Sequence, residues 1–228
     1  MKRTLATILF IFMAIAMTAQ QKASFISLQA GASIPVGKFH ATELPDGGFA
    51  RTGFSGSLEG AWFFKSWLGA GAAAGLQLHP VDVVNLAEEK LSGNEFMTGL
   101  SIRSEPWMSV SLYAGLYFQF PLVQKLKVTA KALGGMIYAQ TPYQLYKAEY
   151  FMIGKNWYEV TSAGDYEGSF LAGAGLRYDL NDCIGIVLNS DFTYNVMDFN
   201  FLLSDGSIRT DEKVMAFVNL AAGIVIKF

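Results

Sequence analysis

The sequence predicts an all-β fold, an eight-stranded antiparallel up-and-down transmembrane β-barrel. Three observations predict it. Apolar residues recur at every second position from Ser24 to the last residue, the apolar face carries no charge in any of the eight alternating runs, and short connections take turns with long ones. The 228 residues are 52% hydrophobic but only 16% charged, which excludes disorder. A helical membrane protein is excluded because the one long apolar run, Leu5 to Met17, lies at the extreme N-terminus. With 17 basic and 19 acidic residues and no Lys/Arg cluster, no nucleic-acid partner is expected.

The first segment reads as a leader. Lys2 and Arg3 are positive, Leu5 to Met17 is apolar, and Ala14, Ala16 and Ala19 are small residues suited to cleavage. The run is shorter than the roughly 20 residues that span a bilayer, so residues 1–19 are expected to be a signal peptide and 20–228 an outer-membrane β-barrel domain. Cys183 is the only cysteine and has no intrachain disulfide partner.

Eight strands follow. The first sets Ile26, Leu28, Ala30, Ala32 and Ile34 against Phe25, Ser27, Gln29, Gly31 and Ser33. The second sets Phe54, Leu58, Trp62 and Phe64 against Ser55, Ser57, Glu59 and Ala61, and the third Leu68 to Leu78 against Gly69, Gly71, Gly75, Gln77 and His79. Met108 to Phe120 alternate with Ser109, Ser111, Tyr113, Tyr117 and Gln119 in the fourth, and Leu126 to Tyr138 with Lys127, Thr129 and Lys131 in the fifth. Phe170 to Leu180 oppose Ser169, Arg177 and Asp179 in the sixth, and Ile184 to Val196 oppose Asn189, Asp191, Thr193 and Asn195 in the seventh. The eighth runs from Val214 to Phe228. Phe96 to Arg103 also alternates weakly, which leaves a ten-strand count open, and Val83 to Leu91 suits a short helix.

Size decides which face points inward. Gly69, Gly71, Gly75, Gly115, Gly135, Gly173 and Gly175 fall on the polar face, and a narrow eight-stranded barrel has room inside only for small or interlocking polar groups. The bulky face is therefore expected to meet lipid. Glu59, Lys127, Lys131, Arg177, Asp179 and Asp191 fall on the inner face, where charge persists only if paired or hydrated. They are expected to form a lumenal ion-pair network, with Glu59 paired to Arg177 or Lys131, in a polar and mostly closed lumen.

The connections at 65–67, 121–125 and 181–183 are short, and those at 35–52, 80–107, 139–168 and 197–212 are long. Membrane-interface aromatics are expected at both levels: Trp62, Phe64, Trp67, Phe118, Phe120, Tyr178 and Phe228 near the short turns, and Phe54, Tyr138, Phe170, Phe192 and Tyr194 near the long loops.

The leader ending Met17, Thr18, Ala19, Gln20, the segment FPLVQKLKVTAKALGGMIYAQTP from Phe120 to Pro142, and the ending GIVIKF resemble the small outer-membrane β-barrel family of Gram-negative bacteria that includes OmpA-like and OmpX-like barrels. The resemblance covers residues 24–228. It implies an integral outer-membrane protein surrounded by outer-membrane lipid, with long loops extracellular and both termini periplasmic. It also implies that Phe228 on the C-terminal strand is an assembly signal for the barrel-assembly machinery. Cell-wall tethering through a following peptidoglycan-binding domain is not expected.

Candidate chemistry is sparse. Gly69, Gly71 and Ala74 with Glu89 loosely match a dinucleotide fingerprint but lie inside a strand, without the helix that motif needs. Ser33, His40, Glu43 and Asp46, with His79 nearby, could supply a lipid A-modifying site, though no spacing requires it. The long loops carry Phe39, Phe49, Tyr143, Tyr146, Tyr150, Phe151, Trp157, Tyr158, Phe199 and Phe201, which suit a partner or ligand, or packing above the membrane. No cofactor or metal site is expected, and no enzyme. The expected role is structural or surface-interacting, with an unidentified surface or envelope partner. The alternatives are a narrow channel for ions or small solutes, a lipid A-modifying enzyme, and an accessory barrel of a secretion or envelope assembly, similar to PorT-like proteins.

Overall fold

The computed structural model describes residues 24–151, 154–202 and 206–228; the predicted leader at 1–19 lies outside them. Eleven strands form in chain order among these residues: β1 (Phe25–Val36), β2 (Gly53–Phe63), β3 (Leu68–His79), β4 (Met97–Ser104), β5 (Trp107–Val123), β6 (Leu126–Gln140), β7 (Gln144–Tyr150), β8 (Gly154–Val160), β9 (Gly164–Asp179), β10 (Ile184–Leu202) and β11 (Ile208–Lys227). Eight of them close into an antiparallel barrel in the order β1-β11-β10-β9-β6-β5-β3-β2. Closure by β1 on β11, from Phe25↔Lys227 to Val36↔Ala216, removes the sheet edge that a bilayer would not tolerate.

The period-two pattern sets the wall's two faces. Ile26, Leu28, Leu58, Leu112, Leu188 and Ile224 are exposed on the outside, Leu112 at 65%, whereas Ser27, Gln29, Glu59, Gln77, Ser111 and Asn189 are buried inside. A one-residue slip in any strand would exchange these sets, so the lipid-facing pattern pins the register.

The segment around Phe96 to Arg103 is a strand but not a barrel strand. As β4 it pairs with β7, which pairs with β8, in a separate three-stranded sheet. Helix α1 (Val83–Ser92) precedes it, and its N-cap Asp82 accepts a hydrogen bond from the Asn85 amide at 3.3 Å. Leu86 of α1, Ile102 of β4 and Tyr146 of β7 bury against one another and against Phe49, and Tyr146 stacks on Tyr158 at 4.7 Å between ring centroids. The two longest connections thus fold into a cap.

The fourth connection departs from expectation. Residues 197–202 and 208–212, read from the sequence as loop, continue β10 and β11, which pair from Ile184↔Ile226 to Leu202↔Ile208. The β9–β10 ladder ends at Phe170↔Tyr194 and the β1–β11 ladder at Val36↔Ala216, while the β10–β11 ladder continues for roughly 25 Å more at ~3.4 Å per residue; β9 itself runs on beside β6 to Gly164, and its Asp165 Oδ2 accepts a hydrogen bond from the Asp198 amide at 3.0 Å. Its outward positions above Val196 turn polar (Asp198, Asn200, Thr210, Glu212), and that loss of the apolar face disguised the strand.

Candidate functional site

At the short-turn end, Asp179 collects cations from three strands. Lys127 Nζ lies 3.0 Å from Asp179 Oδ2, and Lys227 Nζ 3.1 Å and Arg177 Nε 3.8 Å from Oδ1. Arg177 is buried, donates to Gln119 Oε1 through Nη2, and lies 5.1 Å over the Phe25 ring. Lys227 and Gln119 were not among the expected network residues. Lys227 occupies an inward position of the last strand, and alternation would have placed it there had the polar face of that strand been read.

Higher in the lumen, Lys131 bridges two carboxylates. Its ammonium donates to Glu59 Oε1 and lies 2.8 Å from Asp191 Oδ2, with all three side chains at most 7% exposed. The backbone makes room for this triad: a Cβ at Gly173 would stand 2.7 Å from Lys131 Cε and against the Asp191 carboxylate. The structure thus divides the six expected charges into two groups. Glu59 pairs with Lys131, whereas Arg177 belongs with Asp179 and Lys127.

The lumen is less polar than expected. Phe25, Phe63, Tyr113, Tyr117, Leu133, Leu171, Val187 and Val225 form a buried apolar cluster inside the wall. A second cluster toward the long connections contains Phe39, Trp107, Ile137, Met197, Phe199, Met215 and Phe217. Interlocking works for apolar side chains as well, because these positions lie opposite glycine, serine and alanine; Tyr113, for example, pairs with Gly135 and Ala73. Two lumenal cavities are about 20 Å³ each, room for about one water.

The residues named as a possible lipid A-modifying site have the following partners. Ser33 Oγ lies 2.8 Å from His79 Nε2 in a buried pair, whereas His40 Nδ1 lies 3.0 Å from the Ala50 carbonyl and Asp46 pairs with Lys38 at 3.2 Å. Gly69, Gly71 and Ala74 remain inside β3. Among the described residues, no group of His, Cys, Asp and Glu side chains is placed to hold a metal ion.

Above the upper apolar cluster lies a vestibule of about 780 Å³, bounded by residues 44–49, α1, β7, the end of β8 and Arg209–Lys213 of the hairpin. Phe49, Leu86, Trp107 and Tyr146 are buried along it, and Trp107 Nε1 donates to the Gly48 carbonyl at 3.1 Å. Lys90, Arg209 and Lys213 supply its cations. Phe39 and Phe199, placed from the sequence in loops, help close the barrel below it, with Phe39–Trp107 and Trp107–Phe199 centroids at 5.6 and 5.9 Å. Phe151 and Trp157 stay exposed on the cap.

The outer wall identifies the solvent around the barrel. Between its two rims the outward positions are aliphatic and exposed. At the short-turn end stand Trp62, Phe64, Trp67, Phe120, Tyr178 and Phe228, all exposed, with Phe118 stacked on Trp67 at 6.3 Å. At the other end stand Phe54, Phe170, Phe192 and Tyr194, exposed, and Tyr138 against Tyr166 at 4.6 Å. Closed barrels with such an apolar band between aromatic girdles span outer membranes. The protein is an integral outer-membrane β-barrel.

No family model matches the chain, and no curated protein matches it. The barrel is similar to solved outer-membrane proteins. OprG of Pseudomonas aeruginosa aligns at TM-score 0.48 and 11% identity over 91% of this chain and 97% of that one. Neisserial surface protein A aligns at 0.47 and 11% over 90% and 97%. A major outer membrane protein from Thermus thermophilus aligns at 0.47 and 14% over 90% and 100%.

Proposed function

We infer that this barrel is a non-conducting, non-catalytic outer-membrane protein that works through its cap. The observation that carries the reading is the filled lumen. The Glu59–Lys131–Asp191 triad and the two apolar clusters occupy the bore, leaving there two cavities of about 20 Å³ each, while a space of about 780 Å³ lies above it. The folded connections of the cap face the cell exterior and both ends of the barrel chain face the periplasm, in keeping with short turns on one rim and long connections on the other. Phe228, whose amide donates to the Ser24 carbonyl at 3.1 Å beside the β1–β11 seam, presents the C-terminal strand to the barrel-assembly machinery. Planar-bilayer recording of the refolded protein tests the reading. The expected trace is silent, and a stable, wide conductance in the unaltered protein would refute a plugged bore.

A further inference from the structure

We propose that the vestibule is a binding site for a small amphiphilic anion: an aromatic or aliphatic body carrying one carboxylate, the body entering between Leu44, Val81 and Val160 above the buried floor of Phe49, Leu86 and Trp107, and the carboxylate beside Lys90. The proposal rests on the reading that the cap, rather than the bore, is the working part of the molecule. A space of about 780 Å³ is in the range of small-molecule sites, and its lining combines apolar residues with the cations Lys90, Arg209 and Lys213 and the acids Asp46, Asp211 and Glu212.

The charges decide the sign of the ligand. Two of the three acids at the vestibule are already engaged: Asp46 by Lys38 at 3.2 Å and Asp211 by Arg209, Nε to Oδ1 at 3.0 Å. The third, Glu212, is exposed and stands across from Asp198 on the outward-pointing positions of the hairpin, without a cation partner among the described residues. Lys90 on α1 lies 5.1 Å over the Tyr146 ring, with no carboxylate within ion-pairing distance among the described residues. Lys213 donates to the neutral Pro45 carbonyl at 2.6 Å, and Asp211 and Asp46 offset part of its charge without a direct ion pair.

Burial and then the charge of Arg209 hold the Lys90 ammonium below its usual range. Burial also lowers Lys213, with Arg209 and Lys38 adding to the effect and Asp211 and Asp46 opposing it. These cations come from separate elements, α1 and β11, and Arg209 repels both lysines. A carboxylate placed between them relieves that repulsion, and an apolar body displaces water from the aromatic floor. A neutral ligand would do only the second.

The test uses the full barrel in lipid nanodiscs, titrated calorimetrically with 2-naphthoate against empty nanodiscs, with 2-naphthalenemethanol as the neutral analogue. Saturable one-site binding of naphthoate is expected, weakened about tenfold by Lys90→Gln, as loss of one charge-assisted contact implies. Lys90→Arg should restore it, Arg209→Gln should weaken it, and Lys155→Gln on the exposed strand β8 should leave it unchanged. Heat above the empty-nanodisc blank that does not saturate, or equal binding of the neutral analogue with Lys90→Gln unaffected, would overturn the proposal. A conducting bore in bilayer recordings would instead overturn the closed-lumen reading and leave the naphthoate titration standing, so the two failures are distinguishable.

Discussion

The middle of the bore and the vestibule above it are built from the same materials, lysines, carboxylates and aromatic rings, but they complete their pairing to different degrees. In the bore, Lys131 meets two carboxylates and all three side chains are shut away from water. In the vestibule, Lys90 meets only a ring face and Lys213 only a carbonyl, beside a space large enough for a guest. A buried charge must find its partners within the fold, because water cannot supply them. A charge at a wet mouth can be left for something else. The first arrangement holds the wall together, and the second is available for recognition.

Substitutions should separate the two regions by size of effect. Lys131→Met is expected to cost the most, about 3–5 kcal/mol, because it leaves Glu59 and Asp191 buried without a cation. Urea unfolding from lipid vesicles, followed by tryptophan fluorescence, measures the loss, and Lys131→Met combined with Glu59→Gln and Asp191→Asn should recover much of it. Leu112→Lys on the lipid face should cost about 2–4 kcal/mol by the same assay, whereas a soluble barrel would tolerate it.

Gly173→Ala should cost about 1–3 kcal/mol, because the added methyl overpacks the triad. Lys90→Gln should change stability by no more than about 0.5 kcal/mol while altering anion binding, and a large loss of stability would erase the distinction between the regions. The smallest effect is on pH. The Lys90 and Lys213 ammoniums are held below their usual range, so the folded cap binds fewer protons than the unfolded chain. Cap stability should therefore rise with pH between those lowered values and 10.5, read as slower amide exchange in α1 after correction for the intrinsic pH dependence of exchange.

The barrel was legible because its governing signal is local. Alternation at period two, with no charge on one face, follows from lipid on one side of every strand, and the glycines on the other face settle which side is which. The inward charges were legible for the same reason, though not their pairing. Lys131 and Glu59 are 72 positions apart, and only the shear of the closed barrel brings them level. Leu133, Ile137, Leu171 and Val187 carried no signal of a lumenal plug, because isolated apolar residues on a polar face read as exceptions to the pattern. The vestibule was not legible, since it exists only where four connections pack together. The tall hairpin was missed because a strand that leaves the bilayer loses the apolar face by which strands were recognised.

That hairpin has a property of its own. Above Ala216 the β11 flank has no ladder partner, and on the β10 flank the ladder ends at Tyr194, with Asp165 of β9 taking the Asp198 amide at 3.0 Å; the backbone left bare invites another chain to zip alongside. Asp198 stands directly across from Glu212 on its outward side, a juxtaposition of like charges that costs some cross-strand stability. The same repulsion would meet any acidic strand arriving from an adjacent molecule. Charge of this kind blunts an edge as a template for a second chain.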